Sequence, residues 1–149
     1  MTSISKQYGF SAAHRIEGHP KCGRMHGHNY LVTVELEGLV ATDGMVLDYN
    51  ILDEVAKPII DAMDHRYLVS RSNRDNDDPY LLAAIHSGLH AGDIYDVPKD
   101  ATTAERLAEY FAGLLLSALS REVALTALTI TVKESDKTSA TFRVASKEI

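Results

Sequence analysis

The chain has 149 residues, 45% of them hydrophobic and 24% charged, a formal net charge of −6 and one cysteine. These ordinary fractions exclude disordered, fibrous and membrane-spanning classes and fit a single domain over residues 1–149. The acidic balance argues against a general nucleic-acid binder, which needs a basic surface. Cys22 has no partner for an internal disulfide, and no basic segment followed by an apolar run opens the sequence, so a cytoplasmic location is expected.

The first predicted element is a strand over residues 4–14, where Ile4, Lys6, Tyr8, Phe10, Ala12 and His14 alternate with small or polar residues. A loop with Gly18 and Pro20 follows, and His19 on it reads as a solvated imidazole rather than a ligand. A second strand over residues 28–39 carries Tyr30, Val32, Val34 and Leu36 on one parity, antiparallel to the first if the two form a hairpin. His26 and His28 are two residues apart, so on a strand their imidazoles leave the same face.

His14 supplies a third imidazole that would close a metal site. Neutral imidazoles suit zinc, and three of them leave a position for water or substrate, as in a catalytic rather than a structural centre. Gly23 and Gly27 allow tight turns that bring the Cys22 thiol near that group. Cys22 could equally be a fourth ligand or an inert buried thiol, and a bare histidine pair could be solvated or satisfied in the core. Lys21 and Arg24 flank Cys22, with Arg15 nearby; they suit a phosphorylated small molecule, set against the plainer role of solvated surface charges.

Ile51, Leu52, Val55, Ile59 and Met63 mark a helix capped by Asp48 or Asn50 and ending near Asp64 and His65, with Pro58 inside it as a source of kinking. Asp64 beside His65 is a possible acid/base pair, because a carboxylate orients and raises the basicity of an imidazole; the pattern alone is common. Residues 70–101 are the least legible: a polar, turn-forming stretch, then a short helix over 80–89, together suited to a lid or an oligomer contact. A calcium loop is disfavoured there because the glycine and terminal glutamate of that motif are missing, and His86 and His90 read as structural.

Thr102 or Thr103 opens a further helix with the stripe Leu107, Ala108, Phe111, Leu115, Ala118 and Leu119, and Glu105 in its first turn suits the positive helix end. Two strands follow, one with Leu128, Ile130, Val132 and Glu134 on one parity, the other with Ala140, Phe142 and Val144. Glu134 falls on an apolar parity, where a lone carboxylate is costly, so it needs a cation or a ligand as partner. The element order strand, strand, helix, helix, strand, strand predicts an α+β fold: a four-stranded antiparallel sheet with two helices on one face.

Phe10-Ser11-Ala12-Ala13-His14 followed by Cys22, three residues, then His26-Gly27-His28-Asn29 resembles the 6-pyruvoyl-tetrahydropterin synthase superfamily. The short gap between Cys22 and His26 resembles its 6-carboxy-5,6,7,8-tetrahydropterin synthase branch, of queuosine and archaeosine precursor biosynthesis. The likeness continues through Asp64-His65, Thr102-Thr103-Ala104-Glu105 and Lys133-Glu134-Ser135. It implies the tunnelling fold (T-fold), in which subunits join their sheets into a barrel with sites between protomers, and so a homo-oligomer, trimer or hexamer.

The resemblance also implies Zn2+ on His14, His26 and His28, Cys22 as general base, Asp64 and His65 as proton relay, and Glu134 as anchor of a pterin ring. Thr102, Thr103 and Glu105 match positions near the pterin pocket. Lys21 and Arg24 are assigned to the triphosphate, a role that the motif does not settle. The implied reaction converts 7,8-dihydroneopterin triphosphate and water to 6-carboxy-5,6,7,8-tetrahydropterin, acetaldehyde and triphosphate. Alternatives are the sister 6-pyruvoyl activity, a noncatalytic pterin- or purine-binding protein, and a plain zinc hydrolase, against which stands the absence of a His-Glu-x-x-His pattern. No nucleic-acid or membrane partner is expected.

Overall fold

The computed structural model describes residues 1–70, 78–88, 90–120 and 122–145. Strands β1 (Thr2–His14) and β2 (His26–Gly38) form an antiparallel hairpin paired from Thr2 opposite Gly38 to His14 opposite His26. β5 (Leu125–Ser135) lies antiparallel to β2, and β6 (Thr138–Ala145) antiparallel to β5. Beyond the other edge of β1 lie β3 (Arg66–Ser70) and β4 (Ile94–Val97), both parallel to their neighbours, giving the order β4-β3-β1-β2-β5-β6.

Among the described residues the sheet therefore has six strands and is mixed, not four and antiparallel as expected. The four expected strands are its antiparallel part. β3 escaped notice because Tyr67, Leu68, Val69 and Ser70 are all buried, so the strand has no alternation to read.

Alternation in β2 puts Tyr30, Val32, Val34 and Leu36 at 2% exposure or less, on the face that the helices cover. Helix α1 (Tyr49–Asp61) contributes Leu52, Ala56 and Ile60, one turn apart along a single stripe. Asp48 caps it by accepting the Asn50 amide at 2.8 Å. Pro58 sits inside α1 without ending it; the residue is exposed, so the carbonyl left without its amide partner can be hydrated. The helix stops at Asp61, short of the predicted end, and the chain then turns through His65 in the left-handed region (φ 58°). Asp53 on α1 accepts from the Lys6 ammonium (2.8 Å) and the Tyr8 hydroxyl (2.9 Å), which explains how a lysine sits on the inward parity of β1.

The short helix predicted over 80–89 is α2 (Pro79–His86), a third helix capped by Asp78. The polar stretch 71–77, on which the calcium-loop and lid expectations fell, lies outside the described residues, as does Leu89. Helix α3 (Ala104–Leu119) is capped by Thr103 and buries Leu107, Ala108, Phe111, Leu115 and Leu119 against the sheet. Its N-terminus arrives beside the loop end of the β1–β2 hairpin, where Thr102 meets His14. Among the described residues no helix is long and apolar enough to cross a membrane.

Candidate metal centre and active-site cleft

The last rung of the hairpin pairs His14 with His26, and His28 stands opposite Ala12. The three rings converge, with centroids 4.6 Å (His14–His26), 5.1 Å (His14–His28) and 5.0 Å (His26–His28) apart, and one ligand nitrogen from each lies within 4.8 Å of the others. Nδ1 of His14 is 2.9 Å from the Thr102 carbonyl oxygen, and Nδ1 of His26 is 2.7 Å from the Arg24 carbonyl oxygen. A carbonyl only accepts, so in both rings Nδ1 donates and the Nε2 lone pair is left for the centre.

Nε2 of His14 and of His28 are buried with no hydrogen-bond partner among the described residues. Buried ring nitrogens without a partner are costly in isolation, and with two of the three rings oriented by backbone carbonyls they fit a divalent ion that all three histidines share. Burial drives the His14 pKa down to about 4 against the opposing pull of the Thr102 carbonyl, and burial likewise lowers that of His28. Both rings are thus neutral near pH 7, the form that binds metal.

A cleft of about 240 Å³ holds these histidines together with Cys22 and Glu134. Glu134 on β5 directs one carboxylate oxygen 3.9 Å from Nε2 of His14 and 3.8 Å from Nε2 of His28. Thr103 and Glu105, at the start of α3, line the same cleft. Cys22 is a free, partly buried thiol. Gly23 after it is required by close approach: a Cβ there would collide with the His19 carbonyl oxygen. Gly27, between two of the histidines, has the Ala12 carbonyl oxygen 2.9 Å from where its Cβ would be.

Thr102 is not part of the cleft wall. It is 2% exposed, and its carbonyl and hydroxyl (3.3 Å) both meet Nδ1 of His14, so what it does is hold a ring. Lys21 and Arg24 are exposed on the loop beside Cys22 and do not line the cleft.

Asp64 and His65 lie elsewhere. Asp64 accepts the Ser11 amide (2.8 Å) with one oxygen and faces Nδ1 of His65 (2.8 Å) with the other. The Ser11 amide, more than His65, holds the Asp64 pKa below the usual carboxylate range. The imidazole of His65, its side chain 81% exposed, opens onto a second cavity of about 510 Å³ with Ser11, Ala13, Asn29 and Tyr67. Of the residues that line this cavity, His28 alone also lines the metal cleft. Within one chain the pair does not reach Cys22's cleft.

Three residues take roles other than those read in the sequence, where Arg15 groups with Lys21 and Arg24 for a phosphorylated ligand. His19, expected to be solvated, borders the cleft, and its Nδ1 accepts the backbone amide of Cys22 at 2.9 Å. Arg15 donates through Nε to the Gly23 carbonyl at 2.8 Å. Tyr30 stacks on Phe10 (4.6 Å, 7°) with its buried hydroxyl unpartnered among the described residues, and burial raises its pKa far above the ordinary phenol value. His19 and Arg15 act through loop geometry, which leaves no periodic signal; Tyr30 reads simply as core.

Three histidines on a sheet hairpin that could hold a metal ion, in one cleft with a thiol, a carboxylate and the start of a helix, define the class: a small α+β protein with a candidate metal centre. Comparison specifies the class: the chain belongs to the 6-pyruvoyl tetrahydropterin synthase family, whose sequence profile matches residues 3–145. It is 36% identical over 112 residues to the provisionally named 6-carboxy-5,6,7,8-tetrahydropterin synthase of Methanocaldococcus jannaschii, spanning 70% of this chain and 69% of that one. It is 35% identical over 122 residues to the 6-carboxy-5,6,7,8-tetrahydropterin synthase of Haemophilus influenzae, spanning 77% and 82%. The fold matches 6-pyruvoyltetrahydropterin synthase of Plasmodium vivax with a TM-score of 0.77 at 20% identity, over 97% of this chain and 98% of that one.

Proposed function

We infer that the protein is a zinc-dependent 6-carboxy-5,6,7,8-tetrahydropterin synthase acting on 7,8-dihydroneopterin triphosphate. The observation that carries this is the convergence of Cys22 and Glu134 on the three-histidine cluster in one cleft. The names of the relatives above 30% identity support the carboxy branch.

Held by His14, His26 and His28, Zn2+ would supply Lewis-acid polarisation of the oxygens on the substrate side chain. Glu134 accepts hydrogen bonds from the amino and N–H edge of the pterin in bidentate fashion, which gives its carboxylate the partner that its parity demands. Cys22, as thiolate, removes a side-chain proton and moves it along that chain. Thr103 and Glu105 bound the ring, with Thr102 behind His14. Lys21 and Arg24, exposed beside the cleft mouth, meet the triphosphate.

His65, oriented by Asp64, acts as the complementary proton relay. Since its side chain opens onto a separate cavity, the relay comes from a second copy of the chain whose exposed His65 docks at the cleft, as sites between protomers require. Elimination of triphosphate and cleavage of the carbon–carbon bond then release the two-carbon fragment as acetaldehyde.

Incubation of the zinc-loaded protein with 7,8-dihydroneopterin triphosphate, with products identified by mass, tests this. Acetaldehyde and the 6-carboxy product are expected. Triphosphate release without acetaldehyde would move the protein to the 6-pyruvoyl activity, and tight pterin binding without turnover would make it a binding protein.

A further inference from the structure

The loop between the two histidine-bearing strands folds back on itself around Cys22. The Cys22 carbonyl accepts the Ile16 amide at 2.7 Å, and its own amide goes to Nδ1 of His19 at 2.9 Å, with the Lys21 amide on the same nitrogen at 3.2 Å. The side chain of His19 therefore caps a single turn that its own carbonyl closes through the Gly23 amide (2.9 Å). A nitrogen that accepts two amides carries no proton, so the ring is the Nε2–H tautomer.

One residue on, the Gly23 carbonyl accepts Nε of Arg15. The same guanidinium reaches Oδ1 of Asp78 at 3.5 Å and stacks over Tyr80 at 5.3 Å from its ring centre. Asp78 is 5% exposed, caps α2 through the amides of Tyr80 and Leu81, and accepts the Tyr67 hydroxyl at 2.7 Å. Both peptide units of Cys22 and the one after are thus committed, one side to His19 and the other to a buried carboxylate outside the cleft. A backbone fixed on both sides leaves the thiol its own χ1 as the remaining freedom.

We propose that Arg15 and His19 are positioning residues for Cys22, and that through Asp78 the helix α2, which contributes nothing to the cleft wall, sets where the thiol points. This rests on Cys22 being the working base of the reaction inferred above. It assigns the 78–86 segment a part in catalysis without substrate contact, and it requires Arg15 to act through its fork of donors rather than its charge.

The chain has one cysteine, so alkylation by iodoacetamide reports on Cys22 alone and needs no knowledge of the substrate. At pH about 10, where an ordinary thiol is ionised, the rate measures access rather than protonation. In the zinc-loaded protein, His19→Ala and Arg15→Gln are expected to react about tenfold faster than the parent, the scale of losing one hydrogen bond that holds a local closure. His19→Asn, whose side-chain oxygen can accept the same amides, restores the slow rate, and Arg15→Lys does not. Arg15→Gln combined with Asp78→Asn reacts no faster than Arg15→Gln alone. Turnover falls about tenfold in the fast-reacting variants with KM unchanged, as for a misplaced base.

Retained stoichiometric zinc certifies that each variant is folded; where Arg15→Gln loses it, Asp78→Asn, which keeps the helix cap, is the deciding variant. Parent-like alkylation in His19→Ala and in the Arg15 or Asp78 variant overturns the clamp, as does His19→Asn reacting as fast as His19→Ala. A parent protein that turns over no pterin would instead defeat the inferred reaction and leave the alkylation result standing.

Discussion

The carbonyl oxygen of Thr102 lies 2.9 Å from Nδ1 of His14, and this contact across 88 residues decides which nitrogen of the most buried ligand faces the centre. It ties the segment before α3 to the end of β1 and turns a backbone group into part of the metal site. Replacing His14 or His26 with alanine is expected to abolish stoichiometric zinc, read by metal analysis of the purified protein. Thr102→Ala removes only the hydroxyl and keeps the carbonyl, so it should retain the ion. Stoichiometric zinc in both histidine variants would sink the ligand set.

Acid should act on this centre in a defined window. The His14 pKa is lowered from 6.5 to about 4 by burial, so between those values the unfolded chain binds a proton that the folded one refuses. Stability of the metal-free protein is therefore full above about 6.5, falls as the pH drops toward 4 and levels off below, a loss on the order of 3 kcal/mol for this group. Denaturant midpoints across that window check it; a flat profile would contradict a neutral, buried His14. Zinc affinity of the folded protein should hold through that window and decline only as the pH approaches 4, where proton and ion compete for the His14 lone pair.

Gly27→Ala tests the hairpin at its metal end. The added carbon would sit 2.9 Å from the Ala12 carbonyl oxygen, on a strand where neither backbone can retreat without breaking pairing. Metal affinity is expected to fall roughly tenfold to a hundredfold, the range for disturbing the groups that orient ligands, while far-ultraviolet dichroism stays native. Parent-like affinity in a zinc titration would show that the strands have slack there.

Glu134→Gln separates ring anchoring from metal holding. The amide keeps the shape but loses the charge that makes bidentate acceptance strong, so zinc should stay while KM for the pterin rises roughly tenfold. An unchanged KM would assign Glu134 to the histidines it faces at 3.8–3.9 Å rather than to substrate.

If His65 serves a neighbouring copy, Cys22→Ala and His65→Ala, each inactive alone, should regain activity when unfolded together and refolded as mixed oligomers. Random assembly gives about a quarter of parental activity, since a working cleft needs an intact thiol and an intact relay from different chains. Continued silence in mixed oligomers of confirmed composition would place the relay within one chain.

Much of the architecture was legible because alternation is a strong signal. Tyr8, Phe10 and Tyr30 to Leu36 announce β1 and β2, and Asp48 and Thr103 stood among the expected caps of the two long helices. The histidine triad was legible for the same reason: period two puts His26 and His28 on one face. What stayed hidden depends on contacts far apart in sequence. β3 and β4 are short and parallel, and β3 is buried on both faces, so neither carried a pattern. Thr102 reads as a pocket residue by position but spends its polar atoms on His14, and the expectation that Asp64 and His65 join Cys22 meets a chain that sets them at the edge of β1 beside a separate cavity.

The metal centre is also a gauge of strand alignment. His14 and His26 close a ladder that runs unbroken for thirteen residues from Thr2 and Gly38. One residue inserted within either strand would throw His14 and the His26–His28 pair onto opposite sides of the sheet. The connection that carries Cys22 is under no such constraint on its length, whereas the strands on either side of it cannot drift by a single step and still grip an ion.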